Sequence, residues 1–418
     1  MNAPYRRGAC PGLSAPMQTG DGLLARLMPT GTIGLEAMAG LCAAAERHGN
    51  GIIEITARGS IQVRGLGAAS AAAFADAVAR LDIAAHDGVP VTADPLAGLD
   101  PDEVIDAAAL AGGMRAALAA HAFADRLSAK VSVALDGGGA LHLDALAADV
   151  RLRAAAAPDG IRLHVGIGGD AATAVAVSAV APAHAVETVV RLLDVIAAHG
   201  RDARARDILR LAGVGAFRAA AGDRWIAAPP PAPHRAAEPV GTHMLRARQA
   251  AVGVGFAFGH TDASMLERLL DAATSAGAQG VRAAPGRVLL VVGLRPITAA
   301  RLAPAAEKLG FITDPDDPRR RVVACAGAPI CGAGEIPARA LASQVAQAAA
   351  GLIGTGEVIH ISGCPKGCAH RGTAALAAIG RAGQCDLLVD GAPAGSVAVD
   401  AMPHDIARLA RQRGVSHG

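Results

Sequence analysis

Residues 22–66 carry two hydrophobic rhythms in close succession. "GLLARLMPTG" opens extended. From Thr32, a natural cap, apolar positions recur on one helical face at Leu35, Met38, Leu41, Cys42 and Ala45, and Gly49 closes the helix. "GIIEITARGSIQVRGL" then alternates with the period of a strand and predicts a hairpin. The same plan returns without a gap 228 residues later, in "VGVGFAFGHTDASMLERLLDAATSAGAQGVRAAPGRVLLVVGL" (252–294). Gly31 falls on Gly259, Gly49 on Gly277, and Gly65–Leu66 on Gly293–Leu294.

A second unit repeats as well. "VTADPLAGLDPDEVIDAAALAGGMRAALA" (91–119) lies under "VVACAGAPICGAGEIPARALASQVAQAAA" (322–350) at an offset of 231, which puts Cys325 on Asp94 and Cys331 on Asp100. At an offset of 228, "KVSVALDGGGA" lies under "VIHISGCPKGC", which puts Cys364 on Asp136 and Cys368 on Ala140. The proline-rich "APPPAPHRAAEP" reads as the linker between halves. The expected fold is α+β and duplicated, in the order A-B-A′-B′. The units are 1–90, 91–227, a linker at 228–239, 240–320 and 321–418. Two related halves leave a cleft between them, where ligands bind.

Composition narrows the class. Of the 418 residues 52% are hydrophobic but only 2% are aromatic, so the cores must be built from Ala, Val, Leu and Ile. The most apolar stretch, 171–198, is broken by Ser178, Pro182, His184, Glu187, Arg191 and Asp194, too often for a membrane span. The N-terminus has no apolar signal core, and the expectation is a cytoplasmic protein. A net charge of +2 argues against a nucleic-acid surface. Lysine occurs only at 130, 308 and 366, so nearly all of the 39 cations are arginine, whose planar fork suits carboxylates and phosphates.

Four of the seven cysteines cluster in the second B unit: Cys325 and Cys331 in "CAGAPICGAG", Cys364 and Cys368 in "HISGCPKGCAHRG". Cys10, Cys42 and Cys385 are scattered, and Cys42 sits on an apolar helix face. In a reducing compartment, clustered thiols point to metal. Structural zinc prefers knuckles tighter than the five-residue gap between Cys325 and Cys331, whereas a four-iron cube needs a wider cage. Four free buried thiols are the remaining reading.

The C-x5-C…G-C-x-x-G-C pattern, set in an A-B-A′-B′ chain, resembles the sulfite and nitrite reductase family. That resemblance implies a [4Fe-4S] cluster on Cys325, Cys331, Cys364 and Cys368, the last bridging to a sirohaem iron in true reductases. "EITARGSIQVRGL" is similar to the family's strand–arginine motif. The chain departs where those enzymes bind their anion. Lys130 is kept, but Ser132 stands at the second lysine of K-x-K, and "ADPLAGLD" has no arginine. "RRGACPGLSAPMQTGDGLLARLMPTG", "DGGG" and "SGCPKGCAHRG" look like the precorrin-3B synthase branch of the same superfamily. This implies a [4Fe-4S] cluster, a mononuclear non-haem iron, and a tetrapyrrole as substrate in place of a catalytic sirohaem. Precorrin-3A would be hydroxylated at C-20 by O2, with γ-lactone closure from the ring A acetate, in cobalamin (porphyrin-type) biosynthesis. Electrons would come from NADH through a separate reductase. No strand–G-x-G-x-x-G–helix unit is present, consistent with that external donor, and "VGVGFAFG" reads as a strand.

On this resemblance the substrate-binding candidates are Arg26, Arg58, Arg64, Lys130 and Lys366. Arg58 and Arg64 share a face if their strand is regular, and "GS" between them can form a turn instead. Arg6 and Arg7 read as a solvated tail. His370 and His260 are the candidates for the mononuclear iron, with His360 a third. Asp94, Asp100 and Asp136, at the cysteine positions of the first half, read as loop and cap residues, with iron ligation the alternative. A sirohaem-dependent sulfite or nitrite reductase is the alternative. A non-catalytic iron–sulfur carrier, or a zinc-stabilised binding protein, is the second.

Overall fold

A computed structural model describes residues 11–416 apart from 122, 124, 125, 223, 224, 230, 355 and 371. Arg6, Arg7 and Cys10 lie outside the described residues. The first A unit contains β1 (Met17–Thr19), β2 (Gly22–Leu27), α1 (Leu35–His48), β3 (Ile52–Ile55), β4 (Ile61–Leu66) and α2 (Ala68–Ala79). The first B unit follows with β5 (Val91–Ala93), α3 (Ala107–Ala120), β6 (Val133–Asp136), β7 (Ala148–Ala157), β8 (Gly160–Gly169), β9 (Val175–Val180), α4 (Ala185–Ala198), α5 (Ala205–Ala212) and α6 (Gly215–Ala221). The second A unit holds β10 (Gly241–Met244), β11 (Ala250–Gly255), β12 (His260–Asp262), α7 (Ala263–Ser275), β13 (Gly280–Ala284), β14 (Val288–Leu294) and α8 (Pro296–Lys308). The second B unit ends the chain with β15 (Val322–Ala324), α9 (Ala338–Ala348), β16 (Ile359–Ser362), β17 (Leu376–Arg381), β18 (Gln384–Val389), β19 (Ala392–Ala398) and α10 (Met402–Ser416).

Helix α1 buries Met38, Leu41, Cys42, Ala44 and Ala45, the face that the sequence pattern marks. Its start differs from expectation. The N-cap is Gly34, and Thr32 instead accepts a hydrogen bond from Arg282 Nε at 2.7 Å. Gly49 does end the helix. A Cβ there would lie 2.5 Å from the carbonyl of Arg64, so only glycine lets α1 close against β4.

The two A units share one core, which runs from Leu23 to Val78 and from Ala250 to Phe311. Each fully buried Leu, Ile or Met in it contributes about 1.5–3 kcal/mol of transfer free energy. They also exchange strands. β12 joins the first sheet, in the order β1-β2-β4-β3-β12, with Thr261 opposite Ile53. Ile33 reciprocally bridges Val281 on β13. The 228-residue shift carries Ile33 onto Thr261 and Ile53 onto Val281, so the pairing obeys the repeat read from sequence.

Both B units start with parallel ladders, β5-β6-β7 and β15-β16-β17, and end antiparallel. The ladders correct one alignment. Val91 pairs with Val133, and Val322 pairs with Ile359. The β6 loop therefore maps onto the β16 loop with a shift of 226, not 228. Cys364 corresponds to Gly138, Cys368 to His142, Ser362 to Asp136 and His370 to Asp144. The stretch from the start of α3 to β6 is five residues longer than its counterpart from the start of α9 to β16, since the offset falls from 231 to 226 across it, and an ungapped slide at 228 misses the true register by two. The match of Asp94 to Cys325 stands: Gly137 N–H donates to Asp94 Oδ2 at 2.5 Å just as Gly363 N–H donates to Cys325 Sγ at 3.0 Å. No helix among the described residues is long and apolar enough to cross a membrane.

Candidate functional site

The four clustered cysteines converge. Cys325 follows β15, Cys331 sits in the next turn, and Cys364 and Cys368 follow β16. Burial, then the charges of Cys325, Cys364 and Cys331, push the Cys368 thiol up, while Arg64 pulls it down. The pocket is cut for sulfur. Gly363 N–H points at Cys325 Sγ, and a Cβ on Gly20 would lie 2.1 Å from Cys331 Sγ. Gly20 belongs to the β1–β2 turn of the first A unit, and its carbonyl accepts the Gly332 N–H at 2.8 Å. Gly327 takes φ +63°, and a Cβ would strike the Ala338 nitrogen at 2.5 Å, so the Cys325–Cys331 loop needs glycine. A tetrahedral zinc would draw its sulfurs to about 3.8 Å apart, from Zn–S bonds of about 2.3 Å. These cysteines form no group of ligand atoms within 4.8 Å of one another. Cys42 and Cys385 are fully buried packing thiols; burial pushes Cys42 far up and Cys385 up to about 11.

A charged network links this pocket to the first sheet. Arg64 grips Asp21 with two bonds of 2.8 Å and reaches Glu54 at 3.3 Å. Arg339, at the start of α9, reaches the other oxygen of Glu54 at 3.3 Å. Gln62, its amide oriented to satisfy its neighbours, accepts Arg26 at 2.7 and 3.0 Å and donates to Glu54 at 3.2 Å. Burial works against ionisation of Asp21, but Arg64 outweighs it and holds the carboxyl below its usual range. His260 on β12 packs nearby. Burial, with Arg339 beside it, lowers its pKa to about 3, and Nδ1 has no hydrogen-bond partner.

A cavity of about 380 Å³ opens between the first A unit, the first B unit and β13. Arg26, Arg58, Lys130, Arg115, Arg204 and Arg282 line it. Arg58 lies in the β3–β4 turn, not on a regular strand, so it parts from Arg64 and reaches Ala147 O (2.8 Å) and Ser132 Oγ (3.2 Å). Ser132 therefore stands in the cavity wall, bound by an arginine, where a reductase would carry its second lysine. Arg282 is anchored by Thr32 and the carbonyls of Pro95 and Ala97, and Arg115 by the carbonyl of Val91. Burial lowers the pKa of both. Asp94 is the carboxyl in this wall. Burial, and then Asp136, raise its pKa.

Of the expected substrate residues, Arg26, Arg58 and Lys130 line the cavity, while Arg64 joins the network and Lys366 is exposed in the cysteine loop. Arg115, Arg204 and Arg282 were not legible in sequence, because they reach the cavity from α3, from the turn before α5 and from β13 without a shared motif. His370 sits edge-on to His360, ring centroids 5.9 Å apart. Neither His370 nor His260 belongs to the group Asp136, His142, Asp144 and His234, whose ligand atoms lie within 4.8 Å of one another.

This is the architecture of the nitrite and sulfite reductase superfamily. Residues 15–81 match the family described as nitrite/sulfite reductase ferredoxin-like half domain, and residues 87–227 match the nitrite and sulphite reductase 4Fe-4S domain. The second match falls on the unit without clustered cysteines. The Mycobacterium tuberculosis NirA protein has the same fold, with a TM-score of 0.73 over 93% of this chain and 80% of that one, at 19% identity. The chain is 27% identical over 208 residues to sulfite reductase [ferredoxin] 2 of Mycolicibacterium paratuberculosis, 47% of this chain but only 36% of that protein. It is 37% identical over 414 residues to the precorrin-3B synthase of a Sinorhizobium species, 98% of this chain and 89% of that protein. The chain belongs to the precorrin-3B synthase family.

Proposed function

We propose that this chain hydroxylates precorrin-3A at C-20 with O2 and closes the ring A acetate onto C-1 as a γ-lactone, forming precorrin-3B in aerobic cobalamin (vitamin B12) biosynthesis. One oxygen atom stays in the product. The other leaves as water, taking two electrons and two protons. NADH supplies the electrons through a separate reductase, and the reaction belongs in the cytoplasm, where both are at hand. What carries this reading is a cation-lined cavity, joined through Arg26, Gln62 and Glu54 to the arginines near the four cysteines, in a chain 37% identical along nearly its full length to a precorrin-3B synthase.

Cys325, Cys331, Cys364 and Cys368 would hold a [4Fe-4S] cluster. When bound, the cluster passes single electrons and a mononuclear non-haem iron activates dioxygen. The remaining work falls to side chains. Arg26, Arg58, Arg204, Arg282 and Lys130 line the cavity and supply the positive charge that offsets the carboxylates of the macrocycle. Lys366 meets a carboxylate that approaches the cysteine loop. Arg64 keeps a positive charge beside Cys368. Burial, and then Asp136, raise the pKa of Asp94, which lessens its repulsion of a polyanion.

The test is a spectrum of anaerobically purified protein, followed by acid extraction and by turnover of precorrin-3A under labelled O2. We expect broad absorption that bleaches with dithionite, no extractable macrocycle, and one labelled oxygen in the product. Intense sirohaem bands would instead establish the reductase alternative, which the likeness to sulfite reductase [ferredoxin] 2 keeps in view. Cys368→Ser should lose both cluster and hydroxylation; retention of both would remove Cys368 from the cluster.

A further inference from the structure

We propose that Asp136, His142, Asp144 and His234 form a binding site for one divalent transition-metal ion, iron(II) in the working enzyme. Their ligand atoms lie within 4.8 Å of one another. Asp136 ends β6, His142 and Asp144 belong to the loop that follows, and His234 comes from the proline-rich linker. That loop is the counterpart of the cysteine loop: the 226-residue shift carries Asp136, His142 and Asp144 onto Ser362, Cys368 and His370. The first half thus keeps a metal-holding loop but presents imidazole and carboxylate in place of thiolate. Two histidines with carboxylates and open positions are the donor set of non-haem iron(II) oxygenases.

The side chains are poised for a cation. Asp136 is only 1% exposed, and its Oδ2 has no hydrogen-bond partner. That oxygen lies 3.7 Å from His234 Nδ1. A buried carboxylate oxygen left unpaired is costly, and a bound cation removes the cost. His142 bonds the carbonyl of Arg235 through Nε2 at 2.5 Å, which places the proton on Nε2 and leaves Nδ1 its lone pair. That lone pair accepts the Asp144 N–H at 3.2 Å. His234 Nδ1 lies 3.0 Å from Asp144 Oδ2, and the two imidazoles stack with centroids 4.2 Å apart. Arg151, bound to the carbonyls of Leu146 and Leu143, stands 3.8 Å from the other oxygen of Asp144. The site adjoins the substrate cavity through Asp94, which lines that cavity and senses the charge of Asp136.

The choice of iron rests on the proposed oxygenation; the site itself does not. The test is titration of the full, cluster-loaded chain with cobalt(II) as a spectroscopic probe, beside the ratio of iron to acid-labile sulfide. Wild type should take up one equivalent of cobalt into ligand-field bands and, loaded with iron, hold about five irons per four sulfides. His142→Ala and His234→Ala should weaken cobalt binding by more than about 100-fold and lower iron to about four per four sulfides, with cluster absorption intact. Asp144→Asn, nearly isosteric, covers the case of an alanine variant that loses its cluster. His260→Ala and His370→Ala should bind cobalt as wild type does. Undiminished binding in the Asp144 variant and in whichever histidine variants keep their cluster, or no stoichiometric binding by wild type, would overturn the site. Intact cobalt binding without hydroxylation of precorrin-3A would overturn the oxygenase reading and leave the site standing.

Discussion

Gly20 shows how little room the cysteine pocket has. A single methyl there would press on Cys331 Sγ from 2.1 Å, and the turn that carries it is tied to Gly332 by a backbone hydrogen bond. Gly20→Ala should therefore lower iron and acid-labile sulfide per chain well below wild type, while Gly31→Ala, which meets nothing within 4 Å, should not. Equal cluster content in the two variants would mean that the turn yields. His260 is the other informative single residue. Folded, it stays neutral down to about pH 3; unfolded, it takes a proton at the ordinary histidine value of 6.5. The unfolded chain then binds more protons, so this contribution to stability is complete above about pH 6.5 and is lost as pH falls toward 3, by about 1.4 kcal/mol per unit at the steepest. His360, lowered to about 4 by burial and by His370, adds a smaller slope of the same sign. Melting temperature against pH should fall less steeply in His260→Gln than in wild type.

Among the elements, the start of β7 carries a concentrated polar fastening. Asp149, 2% exposed, receives the Ser132 N–H, the Ala205 N–H at the start of α5, and both prongs of Arg204 at 2.9 and 2.8 Å. It thereby sets both Ser132 and Arg204 in the cavity wall. Asp149→Ala strands an arginine and two amides, which should cost roughly 3–5 kcal/mol in a denaturation experiment and raise KM for the tetrapyrrole. A loss of stability with unchanged KM would detach Arg204 from substrate binding. The alternation in "EITARGSIQVRGL" announced β3 and β4 correctly, yet could not say that Arg58 sits in the turn between them. The hydrogen-bond ladder, not the six-residue spacing, sends Arg58 to the cavity and Arg64 to Asp21.

At the scale of the molecule, the halves are not separable bodies. The A units share a core and trade strands, and the linker lies along the first B unit, where Arg153 holds the carbonyl of Ala232 and His142 that of Arg235. Proteolytic nicking within 228–239 should leave fragments that co-elute on gel filtration without denaturant; separation of the fragments would contradict the shared core. The periodic apolar positions and the glycine landmarks by themselves determined the duplicated α+β plan, because each is a local pattern with a fixed geometric meaning, whereas the four clustered cysteines showed only a metal-type group and the resemblance to the reductase family supplied the cluster reading. The tertiary structure decided what depends on distant segments. It moved the β6 loop two residues against its counterpart, so that His142 and not Ala140 stands opposite Cys368. It brought Arg115, Arg204 and Arg282 to one cavity and His234 to Asp136. Strand register and chain crossing fix those meetings, and neither leaves a periodic signature along the chain.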